Sequence, residues 1–333
     1  MLKLLKFLLT YQFKNSRSHQ KNGGFTLIEL LVGLVMAFLV IIPLLGFMVN
    51  MLQTDRQEQA KANTEQEVQA ALSYIARDAE QAVYFYDKAG LDAIKAELPK
   101  ASDSNYVPVL VFWKRQFIRN IIPTGTVNSC QTDADKQQCN DAFVYSLVTY
   151  YITKSDPTTC ARDAWSCTAQ IRRVEIRDAV KGKDNQPISS DEKVQASPGF
   201  QLFTVGQSPD VKTIMNTWKK GAGNIDSNVP EVLIDYIDKT PVSTTDPTQL
   251  CPPPMELVPS TASLANLSSG FYACVNVKET TAQVFMRGNA LARLRQKANP
   301  PSYVDRESVA SYFPKASIQV KGRGLFNVVP TDQ

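Results

Sequence analysis

Histidine is nearly missing from this chain: the only one is His19, and a product beginning at Phe25 has none. Such a product loses Ser-His-Asp and Cys-His catalysis and every histidine metal site. Acids are missing from residues 1–24, which hold Lys3, Lys6, Lys14, Arg17 and Lys21. The whole chain carries a formal +4, so the remainder carries −1, and the basic balance belongs to the leader rather than to a binding face. Charge is missing again between Glu29 and Asp55. No small-residue cleavage site of the A-x-A kind follows that apolar run, and the run exceeds the roughly 7–15 residues of a secretory signal core.

What is present begins with the run itself. Residues 25–49 number about 25, enough to cross a hydrocarbon layer of roughly 30 Å at about 1.5 Å per residue. The basic flank ahead of it keeps the N-terminal side in the cytoplasm and places the bulk of the protein outside. Residues 1–13, with Leu and Phe around Lys3 and Lys6, read as a leader that touches the membrane in passing. Glu29 is the oddity. A carboxylate in a membrane span costs roughly 2.5–3.5 kcal/mol on insertion scales, so it implies a partner. Pro43, flanked by Gly33 and Gly46, removes a helical hydrogen bond and predicts a kink over 39–43.

From Gln53 the chain turns polar but keeps a helical period. Val68, Ala71, Leu72, Ile75, Ala79, Ala82, Val83 and Tyr86 recur at steps of three and four, which predicts one apolar stripe that runs to about Asp87, with Gly90 as a stop. Past Pro99 the texture is that of strands: 107–113, 143–152, 171–176, 231–237, 270–277, 283–286 and 317–321 are rich in β-branched and aromatic residues. Residues 144–151 and 171–178 read as a hairpin, and 279–281 as the turn of another. Residues 180–230 and 238–268 read as surface loops, with a short helix over 214–220. The expected organisation is a cleaved cytoplasmic leader 1–24, a transmembrane helix 25–52, an amphipathic extension of the same helix 53–90 and an extracytoplasmic β-rich domain 91–333. The fold class is α+β, a long N-terminal transmembrane and amphipathic helix packed on a mostly antiparallel sheet.

The six cysteines Cys130, Cys139, Cys160, Cys167, Cys251 and Cys274 all follow the apolar run, which suits disulfides in an oxidising compartment. Six cysteines allow fifteen pairings, and their clustering favours neighbours: 130 with 139, 160 with 167, 251 with 274. A metal site is the rival reading, but the spacings lack the close C-x2-4-C pair that zinc prefers. The acidic loop of Asp133, Asp135 and Asp141 lacks the EF-hand spacing and reads as solvated. Lys219, Lys220 and the arginines of 287–295 are scattered rather than interleaved with aromatics, so no nucleic-acid site is expected. No cofactor and no metal are expected.

Gly24-Phe25-Thr26-Leu27-Ile28-Glu29-Leu30-Leu31, with basic residues before it and an apolar run after it, resembles the class III signal of type IV pilins and type II secretion pseudopilins. The resemblance implies a pilin-like fold. It also implies cleavage by a prepilin peptidase between Gly24 and Phe25, N-methylation of Phe25, and pairing of Glu29 with the terminal amine of a neighbouring subunit during filament assembly. The segment LSYIARDAEQA (72–82) and an arginine-bearing return strand, here Arg172 and Arg173, are similar to minor pseudopilins of the J or W type. The stretch AQVFMRGNALARLR (282–295) resembles cyanobacterial minor pseudopilins tied to hormogonium polysaccharide secretion.

The implied function is that of a non-enzymatic filament subunit in the inner membrane, single-pass, with its globular domain periplasmic or carried on a cell-surface filament. It would assemble into or prime a pilus-like filament for secretion of polysaccharide and for surface motility. Its implied partners are the peptidase and methyltransferase, other major and minor pilins, the assembly platform and membrane lipid. Retention of Glu29 implies a place below the filament tip. The alternative is a minor pilin whose globular domain grips glycan, DNA or a surface. A membrane-anchored enzyme is disfavoured by the absent histidine and nucleophile motifs.

Overall fold

Unbroken apolar sequence with good helix formers gives the first element of the computed structural model, α1 (Leu27–Ala79), 53 residues long. The structure describes residues 24–125, 130, 132–155, 160, 164–182, 186–188, 195–204, 210–241, 250–259, 268–295 and 300–324. The expected leader, residues 1–24, lies outside the described residues apart from Gly24. The chain divides into two compact units, Met1–Asp55 and Arg56–Gln333.

In the first unit, α1 has a mean hydropathy of 2.8 over its most apolar window, and nothing in that window is buried. The large apolar side chains from Leu27 to Leu52 are about half exposed or more. This helix is long and apolar enough to cross a membrane. Pro43 lies inside α1, which continues on both sides of it.

In the second unit the amphipathic part of α1 buries Ala60, Thr64, Val68, Ala71, Leu72, Ile75, Ala76, Asp78 and Ala79. The helix stops at Ala79, short of the expected Asp87. Ala82–Phe85 forms strand β1 instead, with all four residues buried. Two things hid it. Residues buried in succession show no alternation, and their spacing continues the helical period by coincidence. Backbone pairing decided the outcome, because β1 lies antiparallel to the next strand, with Tyr84 opposite Trp113 and Phe85 opposite Phe112. Gly90 is not a stop. It sits inside α2 (Lys88–Ile94), whose N-cap Asp87 accepts a hydrogen bond from the Gly90 amide at 2.8 Å.

The remaining elements follow in order. They are β2 (Tyr106–Pro123), α3 (Asp133–Lys136), β3 (Cys139–Lys154), β4 (Ala169–Arg177), α4 (Val211–Asn216), β5 (Glu231–Ile237), β6 (Glu256–Val258), β7 (Phe271–Asn276), β8 (Thr281–Arg287), α5 (Ala290–Leu294), α6 (Glu307–Ala310) and β9 (Lys315–Lys321). They build a five-stranded sheet in the order β1-β2-β3-β4-β5 and a four-stranded sheet in the order β6-β7-β8-β9. Every pairing in both is antiparallel, so the α+β class holds. Each strand expected beyond residue 106 falls within an observed strand or overlaps one closely. The short β6 lies in a stretch expected to be loop, because three residues carry too little pattern to be read.

Trp113 anchors the core. Its indole N–H donates to the Tyr86 hydroxyl at 2.9 Å, and that hydroxyl donates to the Met215 carbonyl at 3.0 Å. Phe200, Phe203 and Trp218 meet its ring edge to face, an arrangement that the aromatic quadrupole favours. The two sheets are joined by Arg287 on β8. It donates through Nε to Asp238, just past β5, at 2.8 Å, and Asp238 is fully buried. The chains run so close there that a Cβ on Gly270 would lie 2.0 Å from the Asp238 carbonyl oxygen, so only glycine fits.

Candidate functional site

Thr26 begins the site because a threonine just ahead of an apolar helix can serve its orphan amides. The Glu29 amide donates to Thr26 Oγ1 at 3.4 Å, and the Leu30 amide donates to the Thr26 carbonyl at 3.1 Å. Thr26-x-x-Glu29 is therefore the spacing of a capping box, and it puts the Glu29 carboxylate in the first turn, against the positive end of the helix dipole. Phe25 is 81% exposed one residue before the cap, and Gly24 is exposed beside it. Residues 30–54 supply no cation to neutralise Glu29. Glu29 thus lies in the first turn of α1, with Gly24 and Phe25 just ahead of the helix, while Pro43 lies further along it.

The cysteines are brought together elsewhere, in three separate bridges: Cys130 with Cys139, Cys160 with Cys167, and Cys251 with Cys274. The first closes the end of the β2–β3 ribbon and the second the β3–β4 connection. Cys251 and Cys274 pack with Leu257 in a small apolar cluster. The acidic loop residues are occupied locally. Asp133 pairs with Lys136 at 2.8 Å, Asp135 accepts from the Thr132 hydroxyl at 2.6 Å, and Asp141 accepts from the Asn120 amide at 2.8 Å. Among the described residues no group of three or more His, Cys, Asp or Glu is placed to hold a metal ion.

A second constellation was not foreseen. Asp78, on the last turn of α1, accepts from Lys114 Nζ at 2.9 Å, from Arg173 Nε at 2.8 Å and from the Tyr150 hydroxyl at 2.8 Å. Glu175 Oε2 accepts from the same Lys114 at 3.0 Å and the same Arg173 at 2.5 Å. Two carboxylates thus meet two cations, and the group is neutral as a whole. Burial pushes the Asp78 and Glu175 carboxyls up, but the Arg173 and Lys114 bonds and charges outweigh it and hold both below their ordinary values. Burial pushes the Tyr150 hydroxyl up, and the Asp78 charge adds to that. The signal for this cluster was in the sequence. Asp78 is a carboxylate three residues past Ile75 on the apolar stripe, and Lys114 ends the apolar run of β2. A buried charge in either place needs a partner. Its role is to fasten helix to sheet.

No protein-family model, no curated protein and no solved structure matches this chain.

Proposed function

We propose that this chain is a minor pseudopilin-like subunit that assembles into or primes a pilus-like filament of the inner membrane. Residues 1–24 are removed at the Gly24–Phe25 bond, and Phe25 is methylated by the same peptidase. The observation that carries the reading is Glu29, the one charged side chain in the first 28 residues of α1, within a turn of Phe25. In hydrocarbon that carboxylate is costly alone, and so is an unpaired ammonium at Phe25. When subunits stack, the amine of one neutralises the carboxylate of the next, which turns two penalties into one directional contact.

The orientation follows from the basic leader: N-terminus cytoplasmic, globular unit periplasmic, disulfides formed on the oxidising side. The partners are the prepilin peptidase, other pilins and pseudopilins, the assembly platform and lipid. The filament serves secretion, of polysaccharide as cargo, and surface motility. On this reading the chain performs no chemistry, and its retained carboxylate suits a position below the tip. The test is Glu29→Val expressed in place of the native gene. Leader removal continues and incorporation into filaments stops. Normal incorporation of the variant would defeat the reading. Deletion of the gene, with piliation, motility and exopolysaccharide scored separately, identifies the cargo.

A further inference from the structure

Tryptophan marks a second feature, independent of the N-terminal reading. Of the three tryptophans, Trp113 and Trp218 are buried, while Trp165 is 48% exposed. The backbone beside it is tethered. The Cys160–Cys167 bridge closes its loop. The next residue, Ser166, donates its amide to Asp235 at 2.8 Å and its hydroxyl to the same carboxylate at 2.5 Å. The Ser166 carbonyl accepts from Ser155 at 2.7 Å. A large aromatic on a tethered backbone loses less entropy than one on a free loop when it meets a ligand.

Trp165 lines a groove of about 630 Å³ with Glu67, Tyr74, Asp235, Tyr236 and Arg293. That volume lies within the roughly 300–1,000 Å³ of small-molecule sites. Tyr74 is 43% exposed. Arg293 stacks over the Tyr236 ring at 4.1 Å and pairs with Glu67, so guanidinium and carboxylate are already oriented. The wall is β5, the edge strand of its sheet.

We propose that this groove binds a neutral oligosaccharide. A sugar ring offers an apolar C–H face, which suits the electron-rich faces of Trp165 and Tyr74. Its hydroxyls both donate and accept, which suits Glu67 and Asp235 as acceptors and Arg293 as donor. Two carboxylates against one guanidinium disfavour a phosphate backbone or an acidic polymer. The polar tips disfavour a purely apolar ligand.

The test uses the full chain in lipid nanodiscs without glycosidic detergent, titrated with hexamers of β-1,4-glucan, α-1,4-glucan, β-1,3-glucan and β-1,4-linked N-acetylglucosamine. Parallel arms carry a single-stranded oligonucleotide, an acidic oligosaccharide and an extended peptide. At least one neutral hexamer binds saturably and shifts tryptophan emission to the blue. Trp165→Ala and Tyr74→Ala each weaken that binding at least tenfold, with melting temperature and disulfide content unchanged. The proposal is overturned if no neutral hexamer binds, if both variants bind as wild type, or if the ligand lost in Trp165→Ala is the oligonucleotide, acidic oligosaccharide or peptide. Each outcome is separate from filament assembly, which Glu29 tests.

Discussion

Arg173 on β4 donates its Nε–H to Asp78 on the last turn of α1 at 2.8 Å, across 95 residues of sequence. The pair ties the end of the helix to the face of the five-stranded sheet, beside the fully buried Ile75 and Tyr150. Apolar packing of Leu72 and Ile75, each contributing roughly 1.5–3 kcal/mol, holds the helix down and turns its apolar face to the sheet. The directional bonds at Asp78 add a fixed point at the end of the helix.

Removing the carboxylate should therefore cost more than removing the cluster. Asp78→Ala leaves two largely buried cations, Lys114 and Arg173, to share the single carboxylate of Glu175, and is expected to lower stability by about 3–5 kcal/mol. Replacing Asp78, Lys114, Arg173 and Glu175 together by apolar residues of similar volume should cost less than that single change. Denaturant melts of the full chain in micelles measure both, and a larger loss in the fourfold variant than in Asp78→Ala would show that the charges act independently.

Acid should act through the same residues. Asp78 and Glu175 have native carboxyls held below their ordinary 3.8 and 4.5. Their contribution is complete above those unfolded values. It shrinks as pH falls through them and is gone once the native carboxyls are protonated. The melting temperature should be flat from pH 7 to about 5 and fall steeply below pH 4.5. The Asp78→Asn, Glu175→Gln double variant starts lower and falls less. Parallel curves for the two proteins would assign acid sensitivity elsewhere.

The three disulfides should differ in weight. Closing the 23-residue separation of Cys251 and Cys274 is worth about 3 kcal/mol in the chain-entropy account. Both cysteines are buried against Leu257, so replacing the pair also opens a small void. The bridge of Cys130 and Cys139 spans 9 residues at the end of a two-stranded ribbon. Replacing Cys251 and Cys274 by alanine is expected to lower the melting temperature more than the same change at Cys130 and Cys139. Differential scanning calorimetry of the two variants decides the order.

Much of this fold was legible because its strands are long and rich in β-branched residues. The 231–237 expectation matches β5 residue for residue. The helix end was not legible, because Ala82, Val83 and Tyr86 satisfy a helical period while the backbone of this stretch pairs with β2 through Ala82, Tyr84 and Phe85. Local pattern cannot see that partner. Arg173 was noticed as part of a return strand, and Asp78 as part of a helix motif, but their bond is a long-range fact. The groove at Trp165 was hidden for the same reason, since its lining comes from the helix, a disulfide loop and an edge strand. The N-terminal stretch needed no partner from elsewhere in the chain. The expected helix begins at Phe25, and the observed one begins at Leu27, two residues on.

The first turn of α1 offers two roles for Glu29, and they separate experimentally. As a capping residue, the carboxylate would stabilise the start of α1 together with Thr26, whose hydroxyl accepts the Glu29 amide at 3.4 Å. A cap of this kind is worth about 1 kcal/mol. On that account Thr26→Val and Glu29→Val weaken filament incorporation alike, and Glu29→Gln, which keeps shape and polarity, is close to wild type. As a charge that neutralises a neighbour's amine, Glu29 works only when ionised. Then Glu29→Gln fails as completely as Glu29→Val, while Thr26→Val retains most incorporation. If the chain is the filament subunit proposed above, the second pattern is expected, because a neutral amide would leave the neighbour's ammonium uncompensated in hydrocarbon, at a cost of roughly 2.5–3.5 kcal/mol on insertion scales. That deficit is about two and a half to three and a half times the worth of the cap. The measurements are the mass shift on leader removal, which stays intact in all three variants, and the fraction of the chain recovered in sheared filaments.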